Sequence, residues 1–209
     1  VLWAASAVWP DLQSITLLEA SPAIRAVGEK LTAASRLAHV DWRNADVTRD
    51  TDRMAPSDLV TLAYVLDELS QEQRDKLVDR LWSLTSGALV IVEPGTPAGW
   101  QRVLAARARL VGSGAHIAAP CAHAEDCPLA PPDWCHFAAR VARSRVHRLA
   151  KEAEVPWEDE KYIYLAASRV PAAARPARVL TPPETATGRV RLKLCRPDGA
   201  AESRLVTRR

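Results

Sequence analysis

Three cysteines crowd one short stretch of this chain. Cys121, Cys127 and Cys135 follow a C-x5-C-x7-C pattern within PCAHAEDCPLAPPDWCH, and Cys195 stands far downstream in VRLKLCRPDG. Four thiolates suit either a zinc ion or an iron–sulfur cluster. Structural zinc sites use knuckles with two to four residues between ligands, and no such knuckle occurs here. A four-iron four-sulfur (4Fe–4S) cluster is larger, so wider loops can span it. The spacing favours the cluster, with Cys121, Cys127, Cys135 and Cys195 as metal ligands. His123 and His136 could serve a zinc site, so zinc stays open. A disulfide framework fits less well, because nothing suggests secretion and reducing compartments disfavour disulfides. Four unrelated core cysteines are the plain alternative. Pro120, Pro128, Pro131 and Pro132 break helices and central strands, which predicts a loop around the three thiols. Cys195 closes a strand-like run, so a shared site would staple that loop to a sheet.

The elements that must position these thiols can be read from hydrophobic period. The chain has 209 residues, about one large domain, and 48% of them are hydrophobic, enough for a core. The net charge of +3 is too mild to claim nucleic acid from the total. No apolar run approaches bilayer length, which predicts no membrane association. The start, VLWAASAVWPDLQS, resembles no signal peptide; it lacks an initiator Met and opens on a helical pattern, so further residues upstream are expected. Val1 to Trp9 reads as a helix, Ser14 to Leu18 as a strand, and 22–34 as a helix with Ile24, Val27 and Leu31 inward. Leu37 to Trp42 reads as a weak strand. Asp58 to Leu66 and Ala88 to Val92 are continuous apolar runs, as expected of strands covered on both faces, with Glu93-Pro94-Gly95 ending the second. Gln71 to Leu84 and Ala98 to Val111 read as helices. This alternation predicts an α/β fold with a parallel sheet.

After the cysteines, Trp134 to Ala153 reads as a helix with a positive band of Arg140, Arg143, Arg145, His147, Arg148 and Lys151. Arg140, Arg143, Arg148 and Lys151 are the candidate RNA-phosphate contacts. A solvated face is the alternative, since Glu152, Glu154, Glu158, Asp159 and Glu160 follow. Trp134 or Trp157 could stack on an unpaired base or simply pack. Tyr162 to Ala167 and Arg189 to Cys195 read as strands, 171–188 as a proline-rich loop, and SRLVTRR as a frayed tail.

Ligands of open parallel sheets sit at the carboxyl ends of the strands. Glu19 ends the first strand there, Asp46 follows the second, and Tyr64-Val65-Leu66-Asp67 follows the third. Glu19 could accept the ribose hydroxyls of a nucleotide-like cofactor, and Asp46 falls where its edge would lie; either acid could instead be a helix cap. No nucleophile–base pair is evident, so no catalytic residue is assigned. Asp67 and Glu68 could act as bases, or open the next helix, where its dipole favours acids.

This order of elements resembles a class I S-adenosylmethionine-dependent methyltransferase, a Rossmann-like sheet, without its first strand and glycine-rich loop. The resemblance implies that Tyr162 to Ala167 and Arg189 to Cys195 form an antiparallel hairpin at the sheet edge, and that two strand edges stay open where the central strand is missing. A closer resemblance rests on LLEASPAIR, LAYVLDEL, VIVEPGTPAGW, the cysteines through PDWCHFAARVARSRVHR, PWEDEKYIYLAASR and RVRLKLCRPDG. Together they resemble the methyltransferase-like family of mitochondrial and bacterial small-ribosomal-subunit proteins. That family implies 4Fe–4S ligation by the four cysteines, S-adenosylmethionine near Glu19 and Asp46, and association with the small ribosomal subunit or its assembly. An active ribosomal-RNA methyltransferase and a zinc-stapled RNA-binding module are the alternatives. No Asn-Pro-Pro-aromatic motif occurs; Tyr64 to Asp67 take its place. The expected organisation is a methyltransferase-like core over 1–112, a cysteine-rich metal-binding insertion over 113–153, and closing strands over 154–209. A monomer is expected. The Ala- and Arg-rich composition suits a bacterial cytoplasm, with the mitochondrial matrix as alternative.

Overall fold

The computed structural model describes residues 1–33 and 39–207. Helix α1 (Leu2–Val8) leads to strand β1 (Ile15–Leu18), helix α2 (Pro22–Ala33) and strand β2 (Val40–Arg43). β1 and β2 pair in parallel, from Ile15 opposite Val40 to Leu18 opposite Arg43. Leu37 and Ala38 of the predicted strand, and Ala34 of the predicted helix, lie outside the described residues. The expected inward face of α2 is corrected: Ile24, Val27 and Leu31 are exposed, whereas Thr32 is buried. The cause is Trp42, whose indole donates to the Thr32 hydroxyl at 3.1 Å and whose ring lies against Gly28. A side chain at residue 28 would collide with that ring, so the small face of the helix turns to the strand.

Strand β3 (Ser57–Ala63) ends earlier than the apolar run suggests, because Tyr64 takes a left-handed backbone (φ 59°) and Leu66–Glu68 form a 3-10 turn. Helix α3 (Gln71–Ser83) opens with a capping box in which Ser70 and Gln73 satisfy each other's backbone N–H groups, and it buries Leu77, Val78, Leu81 and Trp82. Strand β4 (Thr85–Pro94) runs parallel to β3 and continues through Glu93 and Pro94 instead of stopping before them. Helix α4 (Pro97–Gly112) starts at a Thr96 cap with Pro97 in its first turn, and buries Trp100, Val103, Ala106, Arg107 and Leu110. Strand β5 (His116–Ala119) follows, unpredicted from the sequence.

The predicted helix over Trp134 to Ala153 is corrected as well. The chain forms strand β6 (Phe137–Ala142), a turn, helix α5 (Arg145–Ala150) and strand β7 (Trp157–Ser168). β6 pairs antiparallel with β7, and the Phe137 ring stacks on Tyr162 with Tyr164 beside it. These cross-strand aromatic contacts outweigh the helical preference of the alanines.

β7 organises the main sheet, whose order is β3-β4-β7-β5 with β6 also on β7. Tyr162 pairs with both Pro94 and Phe137, and Ser168 with both Ala88 and His116. β4 therefore holds one edge of β7, while β5 and β6 lie end to end on the other. Residues 120–136, the cysteine stretch, interrupt this edge: they leave it at Ala119 and rejoin it at Phe137. The core packs α3 and α4 on the sheet, with Leu62, Leu89, Ile91, Ile163 and Leu165 against Leu77, Leu81, Val103 and Leu110.

A second sheet closes the chain: β8 (Arg178–Val179), β9 (Glu184–Ala186), β10 (Arg189–Cys195) and β11 (Ala201–Thr207). The expected edge hairpin is thus corrected. An antiparallel pair does finish the main sheet, but β7 makes it with β5 and β6, and β10 belongs to the other sheet. The basic tail is strand, paired along β10 from Ala201 opposite Cys195 to Thr207 opposite Arg189; Arg208 and Arg209 lie outside the described residues. The proline-rich loop likewise contains β8 and β9, antiparallel to β10. The α/β class stands, with a mixed main sheet. Among the described residues, β1 pairs only with β2, and β3 only with β4. No described helix is long and apolar enough to cross a membrane.

Candidate metal centre and strand-end site

All four cysteines line one pocket, together with Arg107, His123, Leu129, Arg178 and Leu180. Three thiols come from the interruption between β5 and β6, and Cys195 from the last residue of β10. The loop opens and turns on two cis bonds, Ala119–Pro120 and Pro131–Pro132. Trp134 pins it to the main sheet, its indole donating to the Gly95 carbonyl at 3.0 Å and its ring stacked on His136. Lys193 of β10 pairs with Asp133. Gly199 in the β10–β11 turn (φ 84°) sits close to the Glu125 side chain.

Two arginines reach this pocket. Arg107 is 5% exposed, and its guanidinium donates to the His123 and Glu125 carbonyls at 3.0 and 2.6 Å. Arg178 donates to the Cys135 sulfur at 2.6 Å and to the His136 carbonyl at 3.3 Å. The His123 Nε2 lies 3.3 Å from the Cys195 sulfur. Burial raises the thiol pKa of Cys127 and Cys195, and it pushes Cys135 up to about 11 against the pull of Arg178. Burial, then Arg107, lowers that of His123. At neutral pH these three thiols and this imidazole are uncharged, and the arginines bring the positive charge. The Arg107 Nε and Arg178 Nε atoms are buried donors without a hydrogen-bond partner. Buried donors left unpaired are costly, and an acceptor in the pocket would relieve that cost. Among the described residues, no group of three His, Cys, Asp or Glu could hold a single metal ion.

The second candidate site lies at the carboxyl ends of the parallel strands. Glu19 and Asp46 follow β1 and β2, and parallel pairing brings both to the same end of that sheet. Glu19 accepts the Ser21 N–H at 2.8 Å and opens α2. Asp46 accepts from the Thr48 N–H and hydroxyl at 2.8 and 2.6 Å and pairs with Arg49, contacts that lower its pKa with Thr48 first. Tyr64 presents an exposed ring just after β3. Asp67 pairs with Arg102 at 2.7 Å, and Arg102 also reaches the wholly buried Glu93 at 3.2 Å. Glu93 in turn accepts the Leu66 N–H at 3.1 Å. Glu93 is therefore a structural carboxylate, a role that its turn-like EPG setting concealed.

The candidate RNA residues spread over β6, the turn and α5 instead of one helical face. Arg140 forms a bidentate pair with Asp159 at 2.8 and 2.9 Å and lies over Trp157. Arg143 and Lys151 both hold Glu158, at 3.2 and 2.8 Å, and lower its pKa, Lys151 first. Arg148 donates to the Glu154 carbonyl.

The family model described as mitochondrial small ribosomal subunit Rsm22 matches residues 1–209, the whole chain. The chain belongs to the Rsm22 family. It is 28% identical over 226 residues to the human protein named ribosome assembly protein METTL17, mitochondrial, covering 100% of this chain and 48% of that relative. The chain thus spans about half the length of the curated relative that it matches. Among solved structures, the N-methyltransferase NodS from Bradyrhizobium japonicum is similar at 16% identity and a TM-score of 0.48, over 78% of each chain. Magnesium protoporphyrin IX methyltransferase from Synechocystis aligns at 14% identity and a TM-score of 0.46, over 74% of this chain and 59% of that one.

The spacing of the four cysteines is visible in the sequence; the two arginines that line the same pocket are not marked in the same way. Arg107 carried a usable signal, since it falls on the same helical face as Val103 and Leu110, where an unpaired charge needs a reason. Arg178 lies in a proline-rich segment without periodicity, and nothing local marks it.

Proposed function

We propose that this chain is the methyltransferase-like part of a factor for assembling the small ribosomal subunit, with a 4Fe–4S cluster held by Cys121, Cys127, Cys135 and Cys195. The observation that carries the cluster is the pocket: four thiols line it, and the Nε donors of two arginines beside it lack partners. A cluster with thiolate ligands and bridging sulfides supplies both the negative charge and the acceptors that such donors need. One zinc ion would supply the charge but not the sulfides, and among the described residues no group of three ligands is set to hold a single ion. Family membership supports the ribosomal role, as does the name of the human relative. That relative's mitochondrial placing supports the matrix over the cytoplasmic expectation.

S-adenosylmethionine would bind at the carboxyl ends of β1 and β2. Glu19 is the better placed acid, because Ser21 engages only one of its oxygens, whereas Thr48 and Arg49 engage both of Asp46. The basic hairpin of Arg140, Arg143, Arg148 and Lys151 would meet RNA phosphates in competition with the acidic partners already there. Methyl transfer to ribosomal RNA is a second reading, favoured by Tyr64, whose strained backbone and exposed ring stand where a target base would be held.

The test is anaerobic purification of the full-length protein carrying this chain, with iron, sulfide and zinc quantified, followed by cosedimentation with small-subunit particles. About four irons and four sulfides per chain, with particle binding that survives Glu19→Ala, is the expected result. Zinc without sulfide would replace the cluster. Particle binding abolished by Glu19→Ala in a folded protein would replace assembly by cofactor-dependent chemistry.

A further inference from the structure

We infer that Arg178 is a positioning residue for the proposed cluster, donating to the Cys135 thiolate and raising the reduction potential of the site. This rests on the cluster reading above. Arg178 is fixed at both ends. Its backbone, on β8, pairs with Cys195. Its guanidinium reaches the Cys135 sulfur at 2.6 Å and the His136 carbonyl at 3.3 Å, and it lies 3.9 Å above the Phe137 ring centre. One residue therefore touches a ligand of the loop and a ligand of the second sheet, with its charged fork aimed at one ligand sulfur.

The consequence is electrostatic. A charged donor to a thiolate draws electron density from the sulfur, and a nearby positive charge favours the more negative, reduced form of the cluster. Leu129 and Leu180 line the same pocket, and apolar surroundings strengthen such effects. His123 beside Cys195 contributes less, because a neutral imidazole donates only in one tautomer. Arg107 spends two donations on loop carbonyls and so mainly shapes the loop.

The test compares cluster-loaded wild-type, Arg178→Lys and Arg178→Gln proteins by iron and sulfide content and by a redox titration followed with electron paramagnetic resonance. Arg178→Gln is expected to shift the one-electron equilibrium about tenfold toward the oxidised form, or 59 mV. Arg178→Lys, which keeps the charge but loses the fork, is expected to fall between the two. Wild-type protein without iron and sulfide would overturn the cluster reading itself. Loaded variants with the wild-type potential would overturn the role of Arg178 alone. Loss of the cluster from both variants while they stay folded would make Arg178 a clamp and overturn the tuning role.

Discussion

Replacing Arg107 with methionine separates an anionic pocket from a merely apolar one. The substitution keeps a long side chain but removes the charge and every donor. In the metal-free protein two effects oppose each other. The His123 and Glu125 carbonyls lose their donor, and hydrogen bonds to charged groups are worth about 1.5–3 kcal/mol each. Against this, removing a guanidinium that is 5% exposed and bonded to carbonyls rather than a carboxylate relieves a desolvation cost of several kcal/mol. The metal-free change should be within about 1 kcal/mol of zero, by cancellation of these terms. A loaded cluster adds a negative partner across the pocket. A unit pair at roughly 6 Å and an effective dielectric of about 20 is worth roughly 3 kcal/mol. For a domain of this size that corresponds to about 6–12 °C in Tm. Thermal unfolding followed by circular dichroism, run anaerobically on metal-free and loaded forms, reads this difference directly. Equal Tm losses in the two forms would refute an anion beside Arg107, and so would a larger loss in the metal-free form.

Two other consequences follow from buried groups. Burial raises the Cys135 thiol from 9.0 to about 11; in the metal-free protein the stability tied to it is complete below pH 9.0 and is lost as pH rises through about 11. Urea midpoints should therefore drop across that window, and Cys135→Ala should flatten the drop; a midpoint that holds steady would contradict the burial. Glu93 is 0% exposed and serves both the Leu66 N–H and Arg102, so Glu93→Ala should cost about 3 kcal/mol, the lower end for a broken buried pair because Arg102 keeps Asp67. A urea-melt loss below about 1 kcal/mol would place Glu93 among ordinary surface acids.

Elements with local signals were legible from sequence. The helical patterns of Gln71 to Leu84 and Ala98 to Val111 announce α3 and α4, and the runs through Leu62 and Ile91 announce buried parallel strands. What failed depended on partners distant in the chain. FAARVA satisfies helical spacing as readily as alternation, and only the Tyr162 and Tyr164 rings across the strand decide for β6. SRLVT looks like a frayed tail until β10 lies beside it. Ile24, Val27 and Leu31 form a proper helical stripe, yet Trp42 claims the neighbouring face of Gly28 and Thr32. The same limit applied to the centre: cysteine spacing is a sequence property, while the arginines that complete the pocket arrive from α4 and β8 through tertiary packing.

The placement of the thiols carries its own argument. Three stand on a loop that interrupts one edge of the main sheet, and the fourth ends β10 in the other sheet. Other links across this joint include polar ones, Arg178 to Cys135 and His136, Lys193 to Asp133 and Arg175 to the Ile117 carbonyl, and the packing of Leu180 on the main core. Part-exposed ion pairs contribute little, about 0–1 kcal/mol each. The binding energy of a metal site is partly folding energy. A cluster at this position would therefore set how firmly the second sheet is held against the first. Because β5 and β6 already share β7 as template, the main sheet does not need the loop to be ordered. A cluster there would act on the joint and on the edge of the core as well, because Cys135 belongs to the main core and Cys121 and Cys127 pack against it.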